Sequence, residues 1–461
     1  MNNYQHNSHE NEKKKVLHVV DKTALVEDIG TLIYYLIEGI NDSKDFSANV
    51  LLTTYDHKNH RPGKAIFYEG QSQEGKEFSH SELEQILADY DIVHVHGLPH
   101  YGIIENLQKI KANPERKTKI VNTVHSSVKQ EFLAQYEYAK NSDDEEAKKD
   151  FEALDFYMKN NILNNPSRFA DTYWGSAIYR QELIMTLADS VQHMNEAYKN
   201  DIIKEYQAEE NAWKHKVIYN GVKIIDNVVD RPRRKRILFI GRFIKDKGFY
   251  EFEAALPKIF EKHPDAEIRF VGEDPKGITV EEHKKRVEKI MRDYFKDKPG
   301  HDMDKYLSQI EFVGWVKDEE KINEHYRWTN YVKHYRWTDY VILPGKPENY
   351  LLTPSEALMH KRIPIMTKTK ALDELYISKG LGLGIDLDKI HSEGIAETVN
   401  QILDKHDSKE HDEIANKGRD FVLENYSFEK MIQNQLDSYR ELIYGKKKDN
   451  KNESSKHNNT N

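Results

Sequence analysis

At 461 residues the chain exceeds what one ordinary core can organise, so about two domains with added segments are expected. It has no cysteine, which excludes a disulfide scaffold, a thiolate metal site and a thiol nucleophile, and its 69 basic and 78 acidic residues leave a net charge of −9, too small for a global field that recruits nucleic acid. No apolar run reaches the roughly 20 residues of a membrane span, and the polar stretch Met1 to Lys15 lacks the apolar centre of a signal peptide, so a cytoplasmic protein is expected.

Short β-rich apolar runs alternate with longer helical patterns from Val16 onward, the signature of parallel βαβ units. The first series runs through Val16–Val20, Asn49–Leu52, Asp91–His96, Lys119–Val124, Asp189–Val191 and Lys216–Tyr219. Within it, residues 130–170 are charged and helix-prone around Asp143-Asp144-Glu145-Glu146, too long for a standard connection. That stretch reads as a solvated helical hairpin or as an acceptor-side insertion. A polar linker follows near 226–236, with the basic run Arg231-Pro232-Arg233-Arg234-Lys235-Arg236, either solvated or able to meet anionic lipid or a polyanionic acceptor. The second series comprises Ile237–Gly241, Glu267–Gly272, Ile310–Gly314, Tyr340–Leu343 and Ile363–Met366. Two Rossmann-like domains with a cleft between them are the expectation: 14–226 and 232–425, closed by a helix over 426–445 and a disordered tail over 446–461. Within the second series, between Ile310–Gly314 and Leu343, stands a tandem duplication, His325-Tyr326-Arg327-Trp328-Thr329-Asn330-Tyr331-Val332-Lys333 followed by His334-Tyr335-Arg336-Trp337-Thr338-Asp339-Tyr340-Val341, of which only the second copy can feed the core strand.

Two segments carry the chemistry. Gly241-Arg242-Phe243-Ile244-Lys245-Asp246-Lys247-Gly248 leaves the end of a strand and precedes an amphipathic helix, the edge at which open α/β sheets bind ligands. Arg242 can fork onto phosphate oxygens, Lys247 can act as a point charge on the same diphosphate, and the two glycines permit a tight turn. The second segment is Glu348-Asn349-Tyr350-Leu351-Leu352-Thr353-Pro354-Ser355-Glu356, two carboxylates eight positions apart. Thr353 reads as an N-cap with Pro354 first in the helix, so the segment is also an ordinary capping box that needs no ligand. Its helix start favours a phosphate, the loop Glu348 can accept from sugar hydroxyls, and Glu356 from those of a ribose. His96 and His125 stand at consecutive strand ends, where a histidine is as readily structural as catalytic.

These residues resemble the large retaining group of GT-B glycosyltransferases often called family 4, in which a Gly-Arg…Lys-Gly segment is followed about a hundred residues later by two glutamates eight apart. The resemblance spans about residues 14–445. It implies an α/β GT-B fold, two Rossmann-like domains facing across a cleft with a C-terminal helix crossing back to the first, and transfer of a hexose from a nucleoside diphosphate sugar with retention, by preference from a UDP-sugar. The acceptor would be a glycan, a cell-envelope polymer, a lipid-linked molecule or a protein. Carried over, Gly241, Arg242 and Lys247 would bind the donor diphosphate, Tyr350, Leu351, Leu352 and Thr353 would present backbone N–H groups to it, Glu356 would bind the ribose, and Gly314 would flank the base. Glu348 and His125 would face the transferred sugar as the catalytic pair, and His96 and Gly30 would lie on the acceptor side. No metal site and no cofactor are expected beyond the sugar nucleotide as co-substrate, and peripheral contact with a membrane face through basic residues is a further expectation. Asp386-Leu387-Asp388 has metal-ligand spacing but reads as a helix start. The chain departs from the pattern at Lys22–Gly30, where only Gly30 remains of a Gly-rich turn, at Asn349-Tyr350, and at His360. Two alternatives stay open: a nucleotide-sugar epimerase of the same fold, and a catalytically silent glycan or nucleotide-sugar binding partner.

Overall fold

The computed structural model describes residues 12–21, 28–56, 61–68, 76–77, 80–141, 145–228, 232–314, 325–345 and 352–445. The chain divides into two units, the first Met1–His193, Ile202–Ile218 and Ile432–Asn461, the second Met194–Asp201 and Tyr219–Met431. The last helix, Phe428–Tyr444, is shared, belonging to the second unit through Met431 and to the first from Ile432.

The first unit is built on an eight-stranded sheet: β1 (Lys14–Asp21), β2 (Phe46–Asp56), β3 (Arg61–Tyr68), β4 (Lys76–Glu77), β5 (Ile92–His96), β6 (Lys119–Thr123), β7 (Ser190–His193) and β8 (His215–Val217), in the order β4-β3-β2-β1-β5-β6-β7-β8. The strands from β2 to β8 in that order run parallel, and β3 and β4 extend the edge antiparallel. Chain order reverses between β1 and β5, which places the topological switch point where Asp21 and His96 end their strands. The 130–170 stretch forms two helices, Val128–Asn141 and Glu145–Lys159. They are not merely solvated: Phe132, Ala139 and Leu154 share a buried apolar cluster with Ile162, Ala177 and Ile178, so this segment has its own small core.

The second unit holds six parallel strands, β9 (Arg236–Ile240), β10 (Glu267–Val271), β11 (Ile310–Gly314), β12 (Tyr340–Leu343), β13 (Ile363–Thr367) and β14 (Leu383–Ile385), ordered β11-β10-β9-β12-β13-β14. Successive side chains of a strand point to opposite faces, and here both faces are covered. Ile237 and Phe239 of β9, with Tyr340 and Ile342 of β12, join the core formed with the helix Phe249–Lys262. Leu238, Val341 and Leu343 join the other, with Tyr335, Leu358, Tyr376 and Tyr426. That double burial is why these strands read as unbroken apolar runs. The switch point of this sheet lies between β9 and β12.

Three side chains of the basic run leading into β9 are paired within the second unit. Arg233 pairs with Asp412 at 2.7 Å, Lys235 with Asp265 at 2.9 Å and Arg236 with Glu267 at 2.9 Å, while Asp339 Oδ2 accepts from the backbone N–H of Arg234 at 2.9 Å. Asp386 precedes a short 3₁₀ turn, Leu387–Lys389, in keeping with a helix start. The expected tail over 446–461 lies outside the described residues.

Candidate active site

In the second unit the two sequence segments emerge from adjacent strands on either side of the switch point. The Gly241–Gly248 loop follows β9, and Pro344-Gly345 follows β12, with Phe239 and Ile342 paired in register. Lys245–Lys247 make one 3₁₀ turn that ends on Gly248 at φ 67°, a left-handed conformation that favours glycine. A side chain on Gly248 would strike the carbonyl of Pro344, and one on Gly345 would come within 2.9 Å of the Asp246 carbonyl, so the loops meet backbone to backbone. Gly272, at φ 150°, ends β10 against the Gly241 carbonyl, and its N–H donates to the Gly314 carbonyl at 3.2 Å. Three neighbouring strand ends thus close into a small-residue rim. Arg242 is exposed there and makes no ion pair among the described residues; Lys247 is half-buried.

The helix after β12 opens at Leu352 and runs to Met359. Thr353 is therefore its second residue instead of the expected N-cap, and Pro354 its third. The helix tolerates this proline because the first four N–H groups have no acceptor inside the helix. Glu356 sits beyond capping-box position, and its carboxylate is held from elsewhere: Tyr335 Oη donates to Oε2 at 2.5 Å. Ser355 is buried, with its hydroxyl 2.8 Å from that of Tyr376. His360, the family departure, is buried and stacked on the Tyr335 ring, 5.2 Å between centroids at 12°. Burial, with Arg362, Arg336 and Arg419 adding to it, pushes its imidazole down to about 3. Glu348, Asn349, Tyr350 and Leu351 lie outside the described residues, as does the Lys22–Glu27 part of the first-domain loop.

In the first unit, register assembles histidines that are far apart in sequence. His18 of β1 pairs with His94 of β5, and His96 lies two residues on, so all three share one sheet face. His125, two residues past β6, stacks on His96 at 5.8 Å and 20°. His18 Nδ1 and His96 Nε2 are 2.8 Å apart and share a proton. His94 holds Tyr439 Oη through Nδ1 at 2.6 Å and Thr123 Oγ1 through Nε2 at 2.7 Å. Ring nitrogens of His18, His94 and His96 lie within 4.8 Å of one another, a spacing that invites a metal reading. The ring geometry opposes it. His94 and His96 stack at 4.2 Å and 25°, whereas ligands of a tetrahedral ion point in their ring planes at one centre and hold their nitrogens about 3.3 Å apart. Burial pushes His18 down to about 3 and His125 to about 4, and holds His94 and His96 well below the ordinary range, neighbouring imidazoles adding to it. All four are neutral at pH 7. Gly30 is buried in the first turn of the helix Asp28–Asp42.

The structure thus brings Gly241, Arg242, Lys247 and Gly314 to one edge of the second sheet, with Leu352, Thr353 and Glu356 on the next helix, and brings His96 and His125 together in the first. Sequence reasoning missed Tyr335, His18 and Tyr439. Tyr335 carried a signal, being in the copy of the duplication that feeds the core; His18 is recognisable only once β1 and β5 are in register.

Residues 234–405 match the protein family described as Glycosyl transferases group 1. The second unit carries a group 1 glycosyltransferase domain, and the protein is an enzyme of the glycosyltransferase class with a GT-B fold. Among solved structures it is similar to a glycosyltransferase from Rickettsia africae, at 14% identity and TM-score 0.57 over 94% of this chain and 100% of that one. It is similar also to sucrose-phosphate synthase from Thermosynechococcus elongatus, at 14% identity and TM-score 0.59 over 94% and 100%. A third is HepE of Anabaena, solved in complex with UDP, at 13% identity and TM-score 0.56 over 92% and 99%. At these identities the likeness is one of fold. No curated protein matches the sequence.

Proposed function

We propose that this glycosyltransferase moves a hexose from a nucleoside diphosphate sugar, by preference a UDP-sugar, to a glycan, cell-envelope polymer, lipid-linked or protein acceptor, with retention at the anomeric carbon. The observation that carries this reading is the meeting of the Arg242–Lys247 loop with the segment leading to Glu356 at the switch point of a group 1 glycosyltransferase domain. HepE, solved with UDP-glucose, supports the choice of donor through its shared fold.

In this reading Arg242 and Lys247 hold the diphosphate and stabilise the charge that builds on it as the anomeric C–O bond breaks. The N-terminus of the helix Leu352–Met359 adds its unpaired N–H groups and positive dipole end. Glu356 accepts from the ribose hydroxyls, and Glu348 from those of the sugar. The acceptor oxygen bonds to the anomeric carbon on the face the phosphate leaves, and its proton passes to the departing phosphate oxygen. His125, kept neutral by burial, orients the sugar as a hydrogen-bonding imidazole and carries no charge. His96 and Gly30 belong to the acceptor side. Charge stabilisation by Arg242, Lys247 and a helix terminus makes the reaction metal-independent.

A panel of nucleotide sugars, read by release of free nucleotide and by the anomeric configuration of the product in excess EDTA, tests this. Retention with undiminished turnover is expected. Inversion would contradict the front-face step, and loss of turnover in EDTA restored by a divalent ion would contradict metal independence.

A further inference from the structure

The duplicated segment is a sequence feature that the proposed function leaves without a role. Its two copies occupy the helix His325–Trp337 and the approach to β12. The second copy is built into the unit. Trp337 lies under Arg269, whose guanidinium is 3.9 Å from the ring centroid, Thr338 Oγ1 donates to the Arg236 carbonyl at 2.9 Å, and Tyr340 is buried in the core. Tyr335 is 1% exposed and fixed from three directions: its ring stacks on His360, its carbonyl accepts from Arg362 Nε at 2.9 Å, and its hydroxyl meets Glu356 Oε2 at 2.5 Å. Tyr331, one helical turn earlier, lines the same hollow beside Glu356 with Lys223 and Ile225.

A half-buried carboxylate on a helix has several rotamers, and recognition of a vicinal diol requires one of them. A hydroxyl that is itself immobilised selects that rotamer, and a hydrogen bond to an ionised acceptor is among the stronger ones a protein makes. We infer that Tyr335 is the positioning residue for Glu356, and that the Tyr335–Glu356 pair sets discrimination for ribose over deoxyribose in the donor nucleotide. This rests on the reading of Glu356 as the ribose-binding residue. The duplication then has a structural consequence: residues inserted ahead of β12 are accommodated while the copy adjoining the strand keeps Tyr335 on Glu356.

The test is calorimetric binding of UDP and 2′-deoxy-UDP, with the GDP and ADP pairs run in parallel, to the full chain, to Tyr335→Phe and to Glu356→Ala. Phe keeps the ring and its stacking and removes only the hydroxyl. The full chain is expected to prefer one ribonucleotide over its deoxy form by roughly tenfold or more, and Tyr335→Phe to narrow that ratio about fivefold with deoxynucleotide affinity unchanged. General damage to the fold would weaken both forms alike and leave the ratio in place. If Glu356→Ala abolishes the preference while Tyr335→Phe retains it in full, the positioning role is wrong and the ribose reading stands. If Glu356→Ala retains the preference, or no pair shows one in the full chain, the ribose reading fails and this inference with it.

Discussion

Arg242 and Lys247 differ in what their loss should do. Arg242 is exposed at the rim, and its forked donors can span two phosphate oxygens, whereas Lys247 is half-buried on a turn whose next residue touches the β12 loop. Replacing Lys247 with Ala should raise the donor KM and lower kcat together, by ten- to a hundredfold in kcat/KM, since a point charge on the leaving group counts most as the bond breaks. Arg242→Lys, which keeps the charge and loses the fork, should retain more activity than Arg242→Ala but stay below wild type. Steady-state kinetics with the best donor of the panel decides both. The histidine at the first sheet makes a pH prediction of definite sign. His125 is pushed down to about 4 by burial, so it stays neutral through the physiological range and should produce no acid limb in the rate until the pH nears 4. A limb near the ordinary histidine value that disappears in His125→Gln would contradict its burial.

At the scale of elements, three strand ends closed by glycines imply a brittle loop. A methyl group on Gly272 has no room beside the Gly241 carbonyl, and its φ of 150° is unfavourable to any other residue. Gly272→Ala should therefore cost about 2 kcal/mol or more and impair donor binding, readable as a urea midpoint and a nucleotide Kd. The stacked histidines imply acid sensitivity. His18 has a folded value of about 3 against an ordinary 6.5, a depressed base, so its stabilisation is full above pH 6.5 and is lost as the pH falls through that value towards 3. Urea unfolding between pH 7.5 and 5 should show that decline, and His18→Asn should flatten it by up to about 1.4 kcal/mol per pH unit.

What was legible follows from the same physics. Strands buried on both faces announced themselves as apolar runs, and every such run became a strand. The three strands that were not read are β3, which contains Arg61, Pro62, Gly63 and Lys64, and β4 and β14, two and three residues long. In β3 those four residues precede the apolar Ala65–Tyr68 and mask it as a loop, and β4 and β14 are too short to carry a pattern. The Gly241–Gly248 loop was legible because its glycines and cations are contiguous in sequence. Tyr335 and Glu356 are 21 residues apart and His94 and Tyr439 345 apart, so those contacts exist only once helices and strands are packed. The helix start at Leu352 escaped because Thr353-Pro354 is equally at home as a cap and as a first turn.

For the whole molecule, the pairing of three side chains of the basic run bears on what the run can do. Arg233, Lys235 and Arg236 each have a carboxylate partner in their own unit, so Arg236→Ala should lower the stability of that unit instead of changing any affinity for anionic vesicles; vesicle sedimentation beside urea unfolding separates the two. The net charge of −9 points the same way, offering an anionic surface no global attraction. Whether the second unit's switch point is a sugar-nucleotide donor site is decided by nucleotide release from a panel of nucleotide sugars, measured on the wild-type protein and on Lys247→Ala and Glu356→Ala. The wild type should turn over at least one nucleotide sugar, and each variant should fall by tenfold or more; near-normal turnover in both variants would rule the donor site out.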